Sequence, residues 1–179
     1  LDLFVPQSTG PLPLLIYIHG GGWQYGSKAG DTFEFVKPMV NQGFAVASIN
    51  YRLSGVEPFP AQIQDVLCAV RYLRSQASSY NINGSKIGLI GISAGAHLAV
   101  LAANASGNQE FFKGPYQERS SRVQAVVGMS GIYNLASDDL NTETTKNIEK
   151  LLGDSDLEKQ NASPGQFVSN NDPAQLIIY

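Results

Sequence analysis

Three apolar runs in this chain leave no side of a β-strand for water: Leu14-Leu15-Ile16-Tyr17-Ile18, Phe44-Ala45-Val46-Ala47-Ser48-Ile49 and Ile87-Gly88-Leu89-Ile90. A strand with one wet face alternates apolar and polar residues, whereas a strand of a parallel sheet is covered on both faces and reads as a continuous apolar run. Segments with helical periodicity lie between these runs. Asp31 to Asn41 carries Phe33, Phe35, Val36, Met39 and Val40, is interrupted near Pro38, and meets a stop at Gly43. Pro60 to Ser78 carries the stripe Ile63, Val66, Leu67, Val70, Tyr72 and Leu73, with Pro60 suited to a first helical turn. Further strands are expected at Leu1–Val5, Lys86–Ile92, Val123–Met129 and from Leu176 to Tyr179, with helices over Ala94–Ala103 and Thr142–Leu152, the latter closed by Gly153. Strands alternating with helices imply βαβ units. The expected fold is α/β: a mostly parallel, doubly wound sheet with helices on both faces and right-handed crossovers.

The length of 179 residues suits one domain, or a piece of a slightly larger one. Charged residues make up 15% of the chain and 18 residues are glycine, against ordinary shares of about 25% and about 7%. The chain is therefore mostly interior and rich in turns that need glycine. A net charge of −3 argues against a nucleic-acid footprint, which needs a basic patch. Ile87 to Gln109 holds no formal charge, but Gly88, Gly91, Ser93, Gly95 and His97 break it into strand, turn and helix, so no membrane span is read there. No basic stretch leads into an apolar one at the start, any leader would lie ahead of Leu1, and localisation is left open. Cys68 has no partner for a disulfide and sits in the apolar pattern of a helix, where it reads as a small buried hydrophobe. No Cys/His cluster offers a zinc site, and no metal or cofactor is expected.

Gly91-Ile92-Ser93-Ala94-Gly95 is a G-x-S-x-G motif placed between an apolar strand and a helix. That setting is what a nucleophile elbow requires: a sharp, strained turn lifts the serine hydroxyl into the open, and flanking glycines let neighbouring backbone come close. The expected φ of Ser93 is near about +60°. The turn also leaves the Ala94 N–H at a helix N-terminus, where it can face a developing oxyanion. A second signal, His19-Gly20-Gly21-Gly22-Trp23, follows the strand at Leu14–Ile18. Consecutive glycines expose backbone N–H groups without side-chain obstruction. No G-K-[ST] accompanies them, which argues against a phosphate loop.

Together with Asn50-Tyr51-Arg52-Leu53, Pro58-Phe59-Pro60-Ala61 and the continuation Ala96-His97-Leu98-Ala99, these motifs resemble in order and spacing the α/β-hydrolase carboxylesterases. The set is similar to the bifunctional acetyl xylan/feruloyl esterase group, close to the hormone-sensitive-lipase-like esterases. The resemblance runs from Leu1 to Tyr179. It implies that Ser93 is the nucleophile, that Gly21, Gly22 and Ala94 supply the oxyanion-hole N–H groups, that the Phe59–Pro60 peptide is cis, and that Leu176–Tyr179 precedes the triad acid. One small departure is Ala96, where many relatives have a second glycine after the nucleophile.

The larger departure is in the triad, which in this fold runs Ser, then Asp or Glu, then His. His19 and His97 are the two histidines of the chain. His97 lies one turn down the helix from Ser93 and reads as structural; His19 belongs to the motif that shapes the glycine loop. Asp138, Asp139, Asp154, Asp156 and Asp172 all precede the final strand. The acid and base are therefore expected beyond Tyr179, the domain is expected to be incomplete, and the 179-residue chain alone is expected to be nearly inactive. The raw edge at Leu176–Tyr179 would invite association, including with a second copy. Trp23 and Tyr25, and the segment Gly131-Ile132-Tyr133, are candidates for lining the pocket. Arg52 and Asp65 are expected to form an ion pair that fixes the loop before the long helix.

The expected function is ester hydrolysis on a small-molecule substrate through an acyl-enzyme. The readings left open beside it are formamidase or prolyl-oligopeptidase-type amide chemistry, the former because Gln24 follows the glycine loop and Trp23, and a non-catalytic hydrolase relative acting as a binding module.

Overall fold

A computed structural model describes residues 1–30 and 32–179, with the backbone alone described for Thr32 and Phe33. The expectations placed on Asp31 and on the side chain of Phe33 lie outside the described residues. Six strands, β1 (Asp2–Phe4), β2 (Leu12–Ile18), β3 (Ala45–Ile49), β4 (Ile82–Ile92), β5 (Ala125–Met129) and β6 (Ala174–Ile178), form one sheet in the order β1-β3-β2-β4-β5-β6. The neighbours β2–β3, β2–β4, β4–β5 and β5–β6 are parallel, and β1 alone runs antiparallel, along β3. The helices are α1 (Thr32–Asn41), α2 (Ala61–Ser75), α3 (Ala94–Asn104), α4 (Thr142–Leu152) and α5 (Asp156–Asn161), with a 3₁₀ turn at Pro164–Phe167.

This topology decides where a site can form. The chain leaves β2 through α1 toward β3, then returns across β2 through α2 and moves the other way, from β4 through α3 to β5. Right-handed crossovers running in opposite directions put α1 on one face and α2 and α3 on the other; α2 and α3 pack together accordingly. The order reverses between β2 and β4, and a doubly wound sheet opens a crevice at the carboxyl ends of its strands at such a point. The glycine loop follows β2 and the elbow follows β4, so both motifs lie on this crevice. Ile16, Ile18, Ala45, Ala47, Ile87 and Leu89 are buried under the helices, as the continuous apolar runs require.

The boundaries differ from expectation in instructive ways. β4 starts at Ile82 rather than Lys86 because Leu12 pairs with Ile82, ahead of an irregularity after which Leu14 pairs with Ile87; Asn83-Gly84-Ser85 lies in that bulge, where Ser85 bonds back to Asn83. α2 stops at Ser75, and Arg71 within it is fully buried. Its guanidinium lies 4.5 Å from the Phe112 ring centroid, and its Nε donates to the Pro115 carbonyl at 3.2 Å. Cys68 is half-buried rather than buried, and burial pushes its thiol up, away from the thiolate. α5 has no apolar period, but Ser155 accepts the Glu158 N–H at its start, a Ser-x-x-Glu cap legible in the sequence. The Phe59–Pro60 peptide is cis. Among the described residues, no helix is long and apolar enough to cross a membrane.

Candidate active site

Ser93 joins β4 to α3 with φ 54° and ψ −121°. A positive φ is rare for a residue with a Cβ and is held only where the surroundings over-determine it. Here the Ser93 N–H donates to the Met129 carbonyl at the end of β5 (2.8 Å), and its own carbonyl takes the His97 N–H (3.1 Å). Between Ile87 and Ala103, Ser93 is the single exposed residue. Gly95 explains how the turn fits: a Cβ built there would overlap the Ile18 and His19 carbonyl oxygens, so the helix packs against the end of β2 without a side chain between them.

That same contact brings the glycine loop onto the elbow. The position of a Cβ on Gly20 is 3.3 Å from the Ser93 Cβ. Beyond it the chain turns at Gly21, with φ 113°, where the Gln24 and Tyr25 N–H groups fold back onto the Gly21 carbonyl (3.0 and 2.9 Å). Among the described residues, no acceptor takes the N–H of Gly21, Gly22 or Ala94. All three residues and Ser93 border one open cavity of about 350 Å³. Its remaining wall is Ile132 and the start of α4, through Asn141, Glu143, Thr144 and Asn147. Those polar residues carry no local sequence signal, because the wall exists only once α4 is folded back beside the glycine loop.

Both Trp23 and Tyr25 border the cavity, but differently. Tyr25 is 68% exposed, whereas Trp23 is 1% exposed, has φ 59°, and sends its indole inward. The indole Nε1–H donates to His97 Nδ1 at 3.2 Å, and the two rings meet edge-on. His97 Nε2–H donates to the Ala162 carbonyl at 2.9 Å. Both ring nitrogens are thus occupied, which fixes the tautomer, and complete burial lowers the pKa to about 4. His97 is a structural residue. His19 donates from Nδ1 to the Gly20 carbonyl (2.7 Å) and stacks on Tyr51 at 4.4 Å; burial pushes its pKa down as well. The Tyr51 hydroxyl donates to the His19 carbonyl (3.1 Å), so this pair shapes the loop. Arg52 and Asp65 form the expected pair, with Arg52 Nε and Nη2 and the Arg52 N–H all on one carboxylate. Asp172 accepts from Ser169 in the turn before β6 and faces no histidine.

His97 makes the fold acid-sensitive. The unfolded chain takes up this proton near pH 6.5 and the folded chain only near pH 4. The contribution of neutral His97 is complete above pH 6.5 and is lost as pH falls toward 4, a cost of about 3 kcal/mol at the lower end. Denaturant unfolding across that range should show stability falling with pH, and His97→Gln should flatten the fall. An unchanged slope in the variant would refute this account.

The profile of the BD-FAE family matches residues 1–179. Esterase LipC of Mycobacterium tuberculosis is 28% identical over 96% of this chain and 44% of its own length. A truncated carbohydrate esterase from gut microbiota superposes with a TM-score of 0.85 at 32% identity, over 98% of this chain and 69% of that one. A bifunctional GH43-CE protein of Bacteroides eggerthii superposes with a TM-score of 0.87 at 31% identity, over 98% of this chain and 28% of that one. The chain spans less than half the length of the curated relatives it matches.

Proposed function

The chain belongs to the BD-FAE family of α/β-hydrolase esterases, and from that premise we propose that it carries the nucleophile and oxyanion hole of a serine carboxylesterase. One observation supports this reading above the rest: an exposed serine on a strained elbow opens onto the cavity bordered by three residues whose backbone N–H groups have no acceptor among the described residues. Ser93 Oγ attacks the ester carbonyl carbon while a general base takes its proton. The carbonyl oxygen becomes an oxyanion held by the Gly21, Gly22 and Ala94 N–H groups at about 3 Å. Collapse expels the alcohol, which receives the proton, and leaves the acyl group on Ser93. Water then attacks the acyl-enzyme by the same route, releasing the acid and restoring the hydroxyl.

Neither His19 nor His97 suits the base, since each is held by other partners. The base and its orienting carboxylate are assigned to residues outside this chain. The substrate class is a small acyl or aryl ester, including acetylated or feruloylated carbohydrate. The polar wall of Asn141, Thr144 and Asn147 and the carbohydrate-esterase relative support the sugar-bearing alcohol.

The test treats the whole protein with diethyl p-nitrophenyl phosphate and maps the adduct by mass spectrometry. It also measures turnover of p-nitrophenyl acetate, an acetylated xylo-oligosaccharide and a formanilide. The expected result is a phosphoryl adduct on Ser93 and ester turnover well above anilide turnover. Faster formanilide cleavage would favour a formamidase, and no adduct and no turnover would favour the binding-module reading.

A further inference from the structure

We infer that Gln24 and Asn147 form a latch by which α4 holds the glycine loop in its donor conformation, making both positioning residues; this rests on the ester-hydrolase reading above. Gln24 Nε2 donates to Asn147 Oδ1 at 2.7 Å, joining residues far apart in the chain, and also reaches the Gly22 carbonyl at 3.4 Å. The Asn147 amide lies flat against Gly22: a side chain on that glycine would meet Asn147 Nδ2 at 2.9 Å and Cγ at 3.1 Å. Gly22 is therefore gripped from the loop side by Gln24 and from the cavity side by Asn147.

The need for such a grip follows from the sequence. Gly20-Gly21-Gly22 is the most permissive backbone a loop can have, and ordering it has a large entropic cost. Oxyanion donors help only when they are already aimed before charge develops, and a misplacement of about 1 Å can cost about 10²-fold in rate. Among the described residues, the loop is otherwise restrained by bonds onto the Gly20 and Gly21 carbonyls and, at Trp23, by the Ser54 N–H on its carbonyl (2.8 Å); none of these bonds reaches Gly22. The latch adds a restraint from outside. α4 can supply it because Ile148, next to Asn147, and Leu151, one turn beyond Asn147, are buried, so the helix is anchored to the core beside the position of Asn147.

The test uses Gln24→Ala, Asn147→Ala, the double variant and Asn147→Asp in the whole protein. Hydrogen–deuterium exchange of the segment 19–26 reads the latch without reference to activity. Exchange there should speed up in both single variants and no further in the double variant, while Asn147→Asp, which keeps an acceptor for Gln24, should exchange as the native protein does. Exchange unchanged in Gln24→Ala and Asn147→Ala would overturn the latch.

In turnover of p-nitrophenyl acetate, each alanine variant should lose about 10- to 100-fold in kcat with KM little changed, as expected for donors lost in the transition state. The losses should not multiply in the double variant, because both removals break one interaction. Full kcat in the single variants, or multiplying losses, would overturn the catalytic part. Activity that survives Ser93→Ala would instead sink the esterase reading and leave the exchange result standing. Gln24 lies on a partly exposed loop, so its variant remains informative if Asn147→Ala fails to fold.

Discussion

Replacing Ser93 with alanine in the whole protein lowers kcat/KM for p-nitrophenyl acetate by about 10⁴-fold or more, leaving the residual catalysis of the oxyanion site and binding. The expected size follows from the covalent route, since without Oγ no acyl-enzyme forms. Alanine keeps the Cβ, so the φ of 54° remains equally strained, and the N–H bond to Met129 is untouched. Thermal stability should stay within about 2 °C of the native protein, as for a change that alters no buried contact. Activity lost together with stability would mean that the hydroxyl holds the turn. Activity retained in a folded variant would remove Ser93 from the chemistry.

The second large effect is on folding. Gly95→Ala should destabilise by about 4 kcal/mol or more, because the added Cβ meets backbone that no side-chain rotation can clear. The overlap is with the Ile18 and His19 carbonyl oxygens at the end of β2, the central strand that carries the glycine loop. Relief requires α3 and β2 to separate, which opens the crevice itself. For a domain of this size the melting temperature should fall by about 8–16 °C. Gly55→Ala is the matched control, since a Cβ there meets nothing within 4 Å. Equal melting temperatures for the two variants would refute the close packing at the elbow.

Much of the architecture was legible because it is written in short-range patterns. Short continuous apolar runs flanked by glycine suit strands covered on both faces, and β2, β3 and β4 hold all of them but Phe44. The elbow was legible down to the sign of φ at Ser93, since a serine between strand and helix, flanked by glycines, has few ways to turn. The start of β4 at Ile82 was not legible, because it comes from the pairing of Ile82 with Leu12 on the far side of the Asn83-Gly84-Ser85 bulge rather than from the local residues.

The sequence by itself determined the alternation of buried strands and helices and the strained elbow at Ser93, which follow from local sterics and periodicity, whereas the strand order and the crevice at its reversal came from the tertiary structure. Only the tertiary structure decided that His97 is locked between Trp23 and Ala162, and that α4 folds back to set Asn147 against Gly22. Such contacts join residues distant in the chain, and a single polar side chain has no periodicity to announce its partner. Their geometry exists only after the apolar faces of the helices have been buried, because that burial fixes which distant polar groups meet.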